Sequence, residues 1–174
     1  MRVWTVGHGT RPAPELVETL RRAGVETLVD VRRFPGSRRH PQFNREPLAR
    51  TLVDAGIDYR HAVELGGRLS GVPGEERFGC IRVAAFRSYA ARMAEPGWQT
   101  ALSRELAAPA PCFMCAETPW QRCHRRLIAE LLWARGHEVL HLLGPHRAEP
   151  HRPWEEAGAE ARGGTLYLCD QPVA

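Results

Sequence analysis

The chain of 174 residues reads as a single α/β domain: a mostly parallel central sheet with helices on both faces. Three observations predict this. Short apolar runs alternate with amphipathic helical stretches almost throughout. Two of the runs, Val3 to Val6 and Pro111 to Cys115, are nearly continuous in apolar residues, as strands buried on both faces are. The helical stretches end at glycines, Gly24, Gly56 and Gly136, which suit the left-handed turn that closes a helix.

The elements follow in order. Val3–Val6 is the first strand, and Gly7-His8-Gly9-Thr10 is its turn. Residues 14–23 carry Leu16 and Leu20 at helical spacing. Val25 to Val31 is a second strand, and residues 32–45 are a polar, arginine-rich loop. Residues 47–55 are helical and Ile57 to Ala62 forms a third strand. Residues 64–79 hold five glycines and read as a mobile loop, a candidate lid. Helices are expected over 84–94 and 98–107, separated at Pro96-Gly97. The strand ending at Cys115, a helix to Gly136 and a strand over 138–143 complete a core of residues 1–143. Residues 144–174 read as a weakly structured extension with a last strand at 165–169.

All 24 basic residues are arginine, and the net charge is +4. The absence of lysine excludes lysine Schiff-base chemistry and a P-loop lysine. Every cation is a planar fork suited to phosphate or carboxylate, so the charge leans toward anionic partners. No apolar run approaches the roughly 18 residues of a membrane span. The N-terminus begins directly with a strand and shows no signal peptide, so a cytoplasmic protein is expected. Five cysteines, an odd number, argue against a disulfide framework. Cys80 and Cys169 read as inert. Cys112 and Cys115 should point to opposite faces of their strand.

The stretch from Cys115 to Arg126 carries the most chemistry. Thr118 reads as a helix N-cap, Pro119 as the first helical residue and Gln121 as the partner in a capping box. A thiol, the Glu117 carboxylate and Cys123-His124-Arg125 would then surround one helix N-terminus, where anions bind and thiols acidify. On that register Cys123 and His124 lie on or beside the apolar stripe, Arg125 at its edge, and Arg126 points away.

In folds of this class ligands bind at the carboxyl ends of the strands. Three strand ends deliver His8, the pair Asp30 and Arg32, and Cys115 with Glu117 to one edge. The loop from Arg32 to Arg45 holds five arginines and no acid within fourteen residues, with Phe34 and Phe43 interleaved. Such a surface suits phosphates and stacked bases. The plainer alternatives are a solvated basic loop and a structural Asp30–Arg32 ion pair. Gly7-His8-Gly9 lacks the third glycine of a dinucleotide site, and no cofactor is expected.

Thr5-Val-Gly-His8, Val29-Asp-Val-Arg32, the segment Phe34 to Arg39, Gln42-Phe-Asn44, Glu64 to Arg68, Cys115-Ala-Glu117 and Cys123-His-Arg125 together resemble the domain-of-unknown-function family 488, over residues 3 to about 143. The resemblance implies an α/β fold and a shared polar site at those positions, and no particular reaction.

Three functions are expected to compete. The first is a thiol-dependent enzyme acting on a nucleotide or nucleic acid. Its catalytic residues would be Cys115, His124, His8 and Glu117, and its anion-binding residues Arg32, Arg38, Arg39, Arg68, Arg125 and Asp30. The second is a non-catalytic nucleic-acid-binding module using the Arg32–Arg45 loop. The third is a metal site at Cys115, Cys123 and His124. A cysteine phosphatase would need arginine where Gln121 stands. A rhodanese-type cradle would need glycine in the loop after Cys115, which holds Pro119 and Trp120 instead.

Overall fold

A computed structural model describes residues 1–174. Its main sheet has six strands in the order β3-β2-β4-β1-β5-β6. These are β1 (Arg2–Gly7), β2 (Thr27–Asp30), β3 (Asp58–His61), β4 (Pro111–Cys115), β5 (Glu138–Gly144) and β6 (Arg147–Pro150). The first five run parallel, and β6 pairs antiparallel with β5 at the edge. Helices α1 (Ala13–Ala23), α2 (Arg45–Asp54), α3 (Ala84–Met93), α4 (Pro96–Leu106) and α5 (Arg125–Ala134) make the crossovers. The α/β class expected from the alternation is the one observed.

Alternate strand residues feed two cores. Trp4, Val6, Leu28, Cys112 and Met114 meet Leu16, Leu20, Leu48 and Leu52 of α1 and α2. Val3, Val29, Phe113 and Cys115 meet α3, α4 and α5 on the other face. Cys112 and Cys115 thus lie on opposite faces, as strand alternation requires. Each buried leucine of this kind contributes roughly 1.5–3 kcal/mol.

Beyond Leu143 the chain is more ordered than its polar composition suggests. It continues as β6 and then as a three-stranded antiparallel sheet of β7 (Glu160–Arg162), β8 (Thr165–Leu168) and β9 (Gln171–Pro172). Leu166, Leu168 and Val173 are buried in the α5-side core. The pattern concealed this because β7 is wholly exposed and β9 has only two residues.

Cys80 and Cys169 are joined in a disulfide. This corrects the expectation that both are inert. Parity failed as an argument because two of five cysteines pair and three stay free: Cys112, Cys115 and Cys123.

The helix expected at Thr118 begins instead at Arg125, with His124 at its N-cap. Pro119 is extended, and Trp120–Arg122 form one turn of 3-10 helix. Trp120 decides the local path. Its ring is buried and lies flat on His141, with centroids 4.0 Å apart, and its indole N–H donates to Glu149 Oε1 at 2.6 Å. A continuous helix from residue 119 does not form around that anchor. The later start rotates the arginines: Arg125 is fully buried, and Arg126 lies over the Trp154 ring at 3.8 Å rather than pointing away.

Candidate active site

The loops after β1, β2 and β4 are held in register by extensions of the strand ladders. His8 N–H donates to the Cys115 carbonyl at 3.1 Å, Gly9 N–H to Ala116 at 2.9 Å, and Val31 N–H to Met114 at 3.0 Å. A cavity of about 450 Å³ opens beside these ends. Cys115, Cys123 and His124 line its floor. Arg32, Arg33, Arg68 and Arg122 line it as well, with Phe34, Val83 and Phe86 on its apolar side. No residue of β1 or its turn, His8 included, reaches the lining.

Cys115 is 1% exposed. Burial pushes its thiol up, yet three effects hold it below the ordinary thiol range: a hydrogen bond with the Cys123 thiol, the charge of Arg125, and the Glu117 backbone. The neighbouring Cys123 is driven well up by its own burial and by Cys115. Of these two thiols the surroundings lower Cys115 and raise Cys123. Burial alone raises Cys112, on the far face.

Arg125 explains much of this. Its side chain is 0% exposed, and Nη2 donates to the Thr118 carbonyl at 2.7 Å. Its Nε and Nη1 have no hydrogen-bond partner, and no carboxylate pairs with it. A buried cation without a counterion is costly. The Arg125 charge is one of the effects that lower the Cys115 thiol.

The two histidines differ in reach. A carbonyl only accepts, so His124 donates from Nε2 to Val31 at 3.1 Å. Its Nδ1 lone pair then faces Cys123 Sγ at 3.5 Å. Burial lowers its pKa to about 4, so the ring is neutral at physiological pH. His8 lies behind the cavity, stacked on Phe43 at 4.4 Å. Its Nε2 faces Arg32 Nη1 at 3.2 Å, and a guanidinium only donates, so Nδ1 carries the proton toward the Gly9 carbonyl. Burial lowers His8 to about 4 as well. Its lone pair is committed to Arg32.

Asp30 and Arg32 form the ion pair that their spacing suggested. Asp30 is fully buried and accepts from Arg32 Nε at 2.9 Å and Nη2 at 2.6 Å, and from the Tyr59 hydroxyl at 2.7 Å. Arg32 also donates to the Phe43 carbonyl at 2.8 Å. These bonds tie the Arg32 guanidinium to Asp30 and to the Phe43 carbonyl, while its side chain still lines the cavity.

The glycine-bearing 64–79 segment, expected to be mobile, is anchored at Leu65 and Gly67. Tyr89, fully buried, donates from its hydroxyl to the Leu65 carbonyl at 2.7 Å. Gly67 lies against the His124 ring, where a Cβ would come within 2.6 Å of Nδ1. Gly7 allows an equally close approach: a Cβ there would meet the Glu117 carbonyl oxygen at 1.9 Å. Arg68 adopts φ of 60°, the left-handed region, at the cavity wall.

Arg38 and Arg39 are exposed and do not line the cavity. Their loop is held by Ser37, whose Oγ accepts the Arg39 and His40 N–H groups at 3.1 Å. Phe43 is 0% exposed, so of the two interleaved aromatics only Phe34, at 67%, is available for stacking. No three histidine, cysteine or acidic side chains converge as a ligand set for a metal ion. The sequence reading missed Arg122, Val83, Phe86 and Tyr89. Arg122 comes from the turn after β4, Val83 and Phe86 from the start of α3, and Tyr89 from the same helix, where it holds Leu65. The Cys-His spacing after Gln121 was the one signal near Arg122.

The family model described as domain of unknown function DUF488 matches residues 12–132. The chain belongs to that family. The DUF488 segment contains the whole cavity lining, from Arg32 to His124, whereas β1 and His8 precede it. No curated protein and no solved structure matches the chain. No helix is long and apolar enough to cross a membrane.

Proposed function

We propose that this DUF488 protein is a thiol-dependent enzyme acting on a phosphate-bearing substrate, a nucleotide or a nucleic-acid end. One observation carries the reading: the Cys115 thiol lies on the floor of an arginine-walled cavity, beside a buried guanidinium that lacks a carboxylate. Cys115 is the nucleophile. Arg33, Arg68 and Arg122 are the anion-binding groups, because Arg32 is occupied by Asp30. His124 takes or returns a proton through Cys123. Phe34 offers an exposed ring for a base. Asp30 and His8 position Arg32, and Glu117 stands at the rim.

The test is alkylation of the native protein with iodoacetamide across pH. Cys115 should react with a midpoint below the roughly 8.5 of a free thiol. Nucleoside phosphates should slow that reaction, and Arg68→Ala should relieve the protection. A midpoint at or above that value overturns the reading. The cytoplasmic location belongs to this proposal, and the Cys80–Cys169 disulfide speaks against it, since structural disulfides persist in oxidising compartments.

The exposed Phe34 among Arg33, Arg38 and Arg39 favours a second reading, a nucleic-acid-binding module. It predicts binding that falls steeply with salt, weakens in Arg38→Ala/Arg39→Ala and is indifferent to Cys115→Ser.

A further inference from the structure

We propose that Cys115 and Cys123 form a two-thiol redox centre that reduces a small hydroperoxide and closes into an intramolecular disulfide. The proposal rests on Cys115 as the reactive thiol and assigns a second chemistry to the same site.

Four observations converge. Both thiols line one cavity and belong to one buried cluster. The third free cysteine, Cys112, lies across the sheet and cannot compete. Cys123 belongs to no helix: it is extended, with φ of −120° and ψ of 150°, between a single turn and α5, so no helical hydrogen-bond ladder holds its backbone. Its thiol faces an acceptor, His124 Nδ1, at 3.5 Å.

The chemistry balances. The Cys115 thiolate attacks the outer oxygen of the hydroperoxide; an S–O bond forms and the O–O bond breaks. The leaving alkoxide, or hydroxide from hydrogen peroxide, takes a proton from solvent. The Arg125 guanidinium, with Nε and Nη1 unpartnered, exerts its positive charge on the reacting sulfur. Cys123 then attacks the sulfenic sulfur, the S–S bond forms and the S–O bond breaks. The Cys123 proton passes to His124 and on to the departing hydroxide, giving water. The dithiol loses two electrons, and the peroxide becomes an alcohol and water. Reopening the disulfide requires an external dithiol.

Access selects the oxidant. Cys115 is almost wholly covered, at the bottom of a cavity of about 450 Å³ with Val83 and Phe86 on its apolar side. A small peroxide enters; a protein disulfide does not.

The test uses the full chain with hydrogen peroxide and with cumene hydroperoxide. One equivalent should remove two of the three free thiols. Peptide mapping should show Cys115 linked to Cys123, and dithiothreitol should restore both. In Cys123→Ser, oxidation should halt at a sulfenic acid on Cys115 that dimedone traps. Cys112→Ser should leave the linkage unchanged. If Cys115 alkylates at low pH yet peroxide leaves Cys115 and Cys123 unlinked, this proposal falls and the nucleophile reading stands. If Cys115 resists both reagents, both fall.

Discussion

Gly67 shows how a single hydrogen atom decides whether the cavity exists. A methyl there would meet the His124 ring at 2.6 Å, and that ring is tethered to the Val31 carbonyl. Gly67→Ala should therefore displace the lid, lower affinity for anions and blunt the acidity of Cys115, read by the same alkylation profile. At the next position Arg68 holds a left-handed backbone, which costs a non-glycine residue roughly 1–2 kcal/mol. Arg68→Gly should raise the melting temperature while weakening anion binding; Arg68→Ala should weaken binding without that gain. Such opposite signs mark strain retained for a functional side chain.

Among the elements, the turn over Trp120–Arg122 matters most. Trp120 stacks on His141 and caps a hydrogen-bonded chain. That chain runs from Thr5 to His141 at 2.6 Å and on to His151 at 3.0 Å, and the far nitrogen of His151 lies 3.2 Å from the buried Glu130 carboxylate without a hydrogen bond between them. Trp120→Ala should cost about 3 kcal/mol, measured by chemical denaturation, and should loosen Cys123, three residues on. This turn also marks where sequence reasoning stopped. Thr118, Pro119 and Gln121 carry every local signal for a helix start, and the alternation of strands was sound enough to place Cys115 and Arg32 at the right edge. Local signals could not show that Trp120 would find His141, since the two meet only across the folded sheet. The burial of Arg125 followed from the same unseen contact. Phe34 and Phe43 were indistinguishable in sequence, yet His8 claims one and leaves the other in solvent.

For the molecule as a whole, three histidines, two buried and one half-buried, set the acid limit. His8 and His124 are lowered to about 4 and His141 to about 2, in each case chiefly by burial. The unfolded chain binds their protons from about pH 6.5 downward, while the folded chain refuses them until about pH 4 or below. Stability should therefore be full above pH 6.5 and fall as pH drops toward 4, with each unit of pKa difference worth about 1.4 kcal/mol. Thermal melts between pH 7.5 and 4.5 check this, and His141→Asn should flatten the acid side. A curve without an acid slope would contradict the burial of these rings.

The Cys80–Cys169 link encloses a stretch of chain with a sequence separation of 89. One bite by a protease anywhere inside that stretch leaves two fragments that still migrate as a single band on a denaturing gel, and adding mercaptoethanol should split the band in two. The last segment of the polypeptide, whose neighbours in sequence are remote from the arginine-lined hollow, is thereby stitched to the stretch just ahead of Val83 at its wall.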